Sequence, residues 1–162
     1  EWKKYGKPSG LGAITGMVAG LATITPASGS VGPSGALIVG LAGGVICYFA
    51  TTYLKQIIKI DDSLDVFPVH GVGGIVGTFL AGILVSGNLG IFSGNGLDDD
   101  MTIGSQLMVQ ITGILAVGIY TAIATFILLK FVSALTSGIR VTDEQEQQGL
   151  DITDHDEKGY SM

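Results

Sequence analysis

Four apolar runs constrain what this chain can become: about 9–26, 33–53, 65–85 and 101–137 of its 162 residues. A helix needs ~20 consecutive apolar residues to cross the hydrocarbon of a bilayer, and runs of this length read as membrane spans. The expected fold is all-α, a polytopic membrane protein with four transmembrane helices. Charged residues make up only 14% of the chain, against roughly 25% in a soluble domain. Mean hydropathy is +0.54. Most of the 26 glycines, 16 of them, sit inside the apolar runs rather than in linkers. Small residues there let backbones come close, because packing replaces the hydrophobic effect as the force between helices in lipid. Gly16/Gly20, Gly40/Gly44 and Gly73/Gly77 have that spacing. The fourth run is longer than a bilayer needs, so it must tilt, bend or protrude. Pro33 suits the first turn of the second helix. Asp65 is expected to cap the third helix, with Pro68 still inside its first turn.

The loops orient these spans. Lys3, Lys4 and Lys7 precede the first, Lys55 and Lys59 separate the second from the third, and Lys130 and Arg140 end the fourth. The loops "ASGSVG" and "SGNLGIFSGNGLDDD" hold no Lys or Arg. The positive-inside rule then puts both ends of the chain on the cytoplasmic side of the cell membrane. Trp2, Tyr5, Tyr48 and Tyr53 fall near that boundary, as interface aromatics do. The organisation expected is a transmembrane part at 1–137 and a cytoplasmic tail at 138–162. From Val141 onward the tail carries Asp143, Glu144, Glu146, Asp151, Asp154, Asp156 and Glu157 against Lys158 alone. That acidic balance has the wrong sign for a nucleic-acid partner. Cys47 is the only cysteine, which excludes a disulfide framework and a cysteine metal site. Glu1 follows no initiator Met and opens no signal pattern, so it is expected to lie inside a longer chain.

One ring stands out. His70 lies in "DVFPVHGVGGIVGTFLAGILVS", followed by Gly71, Gly73, Gly74 and Gly77. Ionisable residues within spans face a bundle interior or a watery path, because lipid exposure costs several kcal/mol. At helical spacing His70 is expected to share a face with Gly73 and Gly77, with Val66 one turn earlier keeping the approach apolar. Desolvation disfavours a cationic imidazole in such a place. The functional reading is a ring that handles protons or a ligand in a narrow passage. The competing one is an imidazole hydrogen-bonded to a neighbouring helix, within a four-helix membrane module that is structural or binds a partner. Asp61, Asp62 and Asp65 at the base of the same span are either a solvated loop with a cap or groups that orient the helix and attract cations. The Thr25 hydroxyl either bonds back to its own helix or faces a ligand.

Other chemistries fail. "GPSG" at the start of the second span and His70 in the third resemble the serine and histidine motifs of rhomboid intramembrane proteases. Ser34 and His70 enter antiparallel neighbouring spans from opposite sides, however, and should lie roughly 15–20 Å apart, where a nucleophile and its base need about 3 Å. "GVGGIVG" has Val76 where a dinucleotide fingerprint needs its third glycine. The second histidine, His155, is in the acidic tail, which rules out a bis-histidine haem within the membrane. No cofactor and no metal is expected.

"DDSLDVFPVHGVGGIVGTFLAGIL" resembles the pore-helix signature of the ammonium transporter family (Amt/Mep/Rh). "GKPSGLGAITGMVAGLATITPASGSVGPSGALIVG" resembles that family's two preceding helices. "GIRVTDEQEQQGLDITDHDEKGY" resembles its cytoplasmic tail, and it does so more in the manner of the bacterial transporters than of the Rh branch. The likeness covers essentially the whole chain and implies the last four of about eleven helices of a homotrimeric transporter of ammonium or ammonia. It implies that His70 is the second of two pore histidines, that Val66 lines the pore and that Thr25 lies near the passage. Asp62 and Asp65 match acidic positions at the base of the pore helix. Gly138, Arg140, Gly149 and Asp151 match a tail that meets a PII-type signalling protein. The sequence departs from the family pattern at Pro68, where glycine is common, and at Gln147–Gln148, where a charged pair is frequent. The first pore histidine, the aromatic gate and the outer recruitment site of the family belong to helices that precede Glu1.

Overall fold

The computed structural model describes residues 6–136 and 138–159. Trp2, Lys3, Lys4, Tyr5 and Ser137, which bear on the expected boundaries, lie outside them. The described elements are helical: α1 (Gly10–Ile24) continued by a 3₁₀ turn (Thr25–Ala27), α2 (Pro33–Tyr53), α3 (Gly73–Leu84), α4 (Ile103–Leu135) and two short tail helices, α5 (Asp143–Gln148) and α6 (Leu150–Thr153). Four stretches, Gly10–Ala27, Pro33–Ile58, Phe67–Leu84 and Ile103–Leu135, are long and apolar enough to cross a membrane. The chain is a polytopic all-α membrane protein. Its contacts divide it into one compact unit ending at Ala116 and a second beginning at Val117.

Local chemistry sets the helix ends. The Ser9 hydroxyl accepts the Gly12 N–H at 2.9 Å, capping α1. Pro33 opens α2, where its missing N–H has no intrahelical partner to lose. The second span runs further than its expected end at Tyr53: a π turn (Leu54–Ile58) extends it until Lys59 adopts a left-handed conformation, φ 59°. A second π turn (Phe67–Val72) leads into α3. Pro68 lies in the first turn, where its missing N–H loses no intrahelical bond, and the Val69 N–H donates to the Asp65 carbonyl at 3.0 Å.

Packing in the first unit inverts the pattern of a water-soluble bundle. Most of the residues buried between the first three helices are small: Ala19, Thr23 and Ala27 on α1 and its extension; Gly35, Val39, Gly43 and Cys47 on α2; Gly73, Gly77 and Ala81 on α3, where Leu84 is the large exception. Each row advances by four residues, the ridge spacing by which two helices interdigitate. The large side chains Leu11, Leu37, Leu41, Phe49 and Ile75 point outward, as lipid permits. Gly20 and Gly40 meet backbone to backbone, with a methyl on Gly20 at 3.6 Å from the Gly40 carbonyl oxygen. The first two glycine pairs are thus helix-packing devices.

Thr23 is the node where three helices meet. It is fully buried, and its hydroxyl donates to the Ala19 carbonyl at 2.8 Å. Gly43 of α2 and Gly77 of α3 both press on it so closely that neither has room for a Cβ. At the end of the bundle where α1 meets α2, the loop after α3 folds back over the Ala27–Val31 turn. Asn95 donates its backbone N–H to the Ser30 carbonyl at 3.0 Å and its side-chain amide to the Gly29 carbonyl at 2.6 Å. Gly94 sits against Ser30, Leu84 and Val85 with no space for a side chain. In the second unit, α5 opens with a reciprocal cap between Thr142 and Gln145.

Candidate functional site

The candidate residues of the third span gather at the opposite end of the bundle, around the 59–65 loop. Two carboxylates there have separate jobs. Asp62 reaches forward to the start of the helix: its Oδ1 accepts the Val66 N–H and its Oδ2 the Phe67 N–H, each at 2.9 Å. These two bonds, the Phe67 one first, hold the Asp62 carboxyl below the usual carboxylate range, with the Lys55 charge a minor contributor. The cap expected of Asp65 is therefore supplied by Asp62. Asp65 occupies the position before the helix in a left-handed conformation, φ 57°, and its backbone carbonyl accepts the Val69 N–H at 3.0 Å. Its side chain turns back to the second span instead, where Oδ1 lies 2.7 Å from the Lys55 ammonium. Facing inward to this pair costs Asp65 the helix N–H groups, which the longer reach from Asp62 takes over.

His70 lies within the π turn, and its side chain is exposed; so are Val66 and Phe67 beside it. Among the described residues nothing hydrogen-bonds the ring, so the neighbour-helix bond of the competing reading is not formed here. The expected common face with Gly73 and Gly77 is not observed either. Those glycines are buried against Thr23 and Cys47, while His70 looks away from the three-helix pack. The π turn supplies the reason: one extra residue in a turn rotates what precedes it by roughly 100° about the axis. Gly71 packs under the Phe67 ring, 2.9 Å from Cδ2 to the position of its absent Cβ. A groove of about 580 Å³ between α1 and α2 is lined by Gly12, Gly16, Cys47, Thr51, Asp65 and Val69, with His70 not among its lining residues.

Thr25 is not brought to this cluster. It is exposed near the other end of α1, and its hydroxyl donates to the Leu21 carbonyl at 2.8 Å. The threonine that the fold buries is Thr23. The tail residues form their own group in the second unit. Gly138 has φ 134° and donates to the Ser133 carbonyl at 3.1 Å, closing the end of α4. Arg140 lies 3.5 Å from Glu146 in an exposed ion pair. Gly149, φ 93°, makes the break between α5 and α6, and the Asp151 carbonyl accepts the Glu157 N–H at 2.8 Å. Among the described residues no cluster of His, Cys, Asp and Glu is arranged to hold a metal ion.

A family model described as Ammonium Transporter Family matches residues 1–160. The chain belongs to the ammonium transporter family. It is 40% identical over 166 residues to the ammonium transporter Amt1 of Archaeoglobus fulgidus, covering 99% of this chain and 39% of that protein. It is 39% identical over 160 residues to an ammonium transporter of Bacillus subtilis, covering 99% of this chain and 39% of the relative. An ammonium transporter of Mycobacterium tuberculosis is 43% identical over 173 residues, covering all of this chain and 34% of the relative. The chain thus spans between a third and two fifths of the length of these curated family members. They are named as transporters, not as enzymes.

Proposed function

We propose that this chain forms the C-terminal part of a transporter that passes ammonium or ammonia through a narrow apolar path lined by His70. The family match over residues 1–160 carries the proposal. The exposure of His70, Val66 and Phe67 supports it. An imidazole turned to lipid would cost several kcal/mol, so this face is one that further helices cover in the longer protein. Ammonium entering such a path would lose its hydration without repayment. Ammonia, being neutral, loses far less, and the imidazole offers it one donor and one acceptor nitrogen. Val66 and Phe67 keep the stretch beside the ring dry. In this reading ammonium leaves its proton behind before the dry section, and ammonia passes the ring.

The same reading places both ends of the chain on the cytoplasmic side of the cell membrane, in keeping with the positions of Lys7, Lys55, Lys59, Lys130 and Arg140. It assigns the transporter a homotrimeric assembly, and it assigns the tail, through Gly138, Arg140, Gly149 and Asp151, to contact with a PII-type signalling protein. Thr25, whose hydroxyl is turned back on its own helix, is left near the passage without a direct role. The test is His70→Ala in the full-length transporter, read by labelled methylammonium uptake and potassium exclusion. Uptake should fall or potassium should begin to leak. Unchanged values of both would leave His70 a structural residue of a membrane module.

A further inference from the structure

The Lys55–Asp65 pair closes the 59–65 loop at its base, and two features of that loop are otherwise unexplained. Lys59 and Asp65 both hold left-handed backbone conformations without being glycine. Such residues store backbone strain and persist where the surroundings over-determine them. At Asp65 the surroundings do so from three sides. Lys55 holds its carboxylate at 2.7 Å, Asp62 takes the N–H groups of the next two residues, and Val69 donates to its carbonyl. Lys55 also approaches the Ser63 carbonyl at 3.5 Å. Lys55 itself belongs to the π turn that ends the second span, and Asp65 immediately precedes the helical turn that opens the third.

The Asp65 carbonyl closes an ordinary i→i+4 turn with Val69, and the wide turn begins two residues after Asp65, at Phe67. The conformation of Asp65 therefore sets where that wide turn begins. If Asp65 relaxes, the turn can tighten to ordinary α spacing, and the ring swings by roughly 100° toward the Gly73–Gly77 face. Pro68, in the first turn, neither forces the wide turn nor blocks an ordinary one, which leaves the outcome to the anchors at the base.

We propose that Lys55 is a positioning residue for His70: by pinning Asp65 it keeps the π turn open and the ring turned away from the three-helix pack. The inference rests on the transport reading for its consequence, though not for its geometry. The experiment compares Lys55→Met, Lys55→Arg and Asp65→Asn in the full-length transporter, using amide hydrogen exchange and uptake into proteoliposomes. Lys55→Met and Asp65→Asn should speed exchange across 66–72 about two- to fivefold, the loss of one partly screened ion pair, with 73–84 unaffected. The maximal uptake rate should fall about tenfold with apparent KM within about twofold, and Lys55→Arg should restore both. Unaltered exchange at 66–72 overturns the proposal, and so does faster exchange with unaltered uptake kinetics. If the unsubstituted protein itself moves no ammonium, the transport reading fails, and the exchange arm still decides whether Lys55 holds the turn.

Discussion

Gly77→Ala should open the three-helix junction more than any comparable methyl elsewhere in it. A methyl on Gly77 meets the Thr23 carbonyl oxygen, and it lies 2.9 Å from the carbonyl carbon and 3.2 Å from Pro26 Cδ. Ordinary carbon contacts are ~3.5 Å or longer, so the helices must separate by at least ~0.6 Å against backbone, which has no rotamer to change. Overpacking of this kind costs about 1–3 kcal/mol, and a backbone carbonyl with a rigid proline ring beside it places it at about 2–3. Gly73→Ala should cost about 1 kcal/mol, because its nearest neighbours are side-chain atoms, Thr23 Oγ1 at 3.0 Å and Cys47 Sγ at 3.3 Å. Gly20→Ala, at 3.6 Å from the Gly40 carbonyl oxygen, should be neutral or mildly stabilising, since alanine is the better helix former. A Thr23→Ala background separates the mechanisms: it should relieve Gly73→Ala by about 0.5–1 kcal/mol and leave Gly77→Ala unrelieved. Reversible unfolding of the full-length protein in mixed detergent measures all of these. Gly77→Ala costing no more than Gly20→Ala, or being rescued by trimming Thr23, would refute the reasoning.

Two further outcomes follow from the same contacts. Gly94→Ala should destabilise by about 2 kcal/mol or more, because its methyl would lie 2.6 Å from the Leu84 carbonyl oxygen and 2.7 Å from Val85 Cα; a thermal midpoint equal to that of Gly104→Ala, where the nearest atom is 3.8 Å away, would contradict it. The Asp62 cap has a lowered carboxyl pKa, so its contribution is complete above the ordinary carboxylate range and is lost as pH falls below it. Protection of the Val66 and Phe67 amides, corrected for intrinsic exchange, should hold from neutrality down to about pH 4 and decline only below that. A decline centred near pH 6 would show that another group holds the turn.

What could be read from the residue string is what depends on length and local caps. The four spans, the Pro33 start and the glycine pairs between α1 and α2 follow from hydropathy and from spacing along one helix. Contacts between helices left weaker traces. Lys55 and Asp65 lie ten positions apart across a loop, and no periodicity links them. Asp62 and Asp65 are equally good caps on paper, and only the left-handed turn of Asp65 decides between them. Thr23 and Thr25 look alike beside Pro26, yet the row Ala19–Thr23–Ala27 continues the small-residue ridge and Thr25 does not; that spacing was available and points to the buried threonine. The π turn left no clear trace, because Pro68 is compatible with a first turn of either width. Missing it put His70 on the Gly73–Gly77 face, from which the extra residue in the turn removes it.

The length of α4 limits how it can stand in a bilayer. From 103 to 129 the helix carries no charge, and Lys130 then appears beside the Phe126 ring, 5.7 Å from its centroid. Those uncharged turns measure about 40 Å along the axis, some 10 Å more than the hydrocarbon is thick. An upright pose would lift bare aliphatic surface into water. A lean of about 40°, the steep limit for spanning helices, brings the lysine to headgroup level, with 131–135 continuing beyond it at the same slope. One ammonium near its foot thus makes this helix an oblique strut, and moving that charge a turn earlier or later should change the slope at which it crosses.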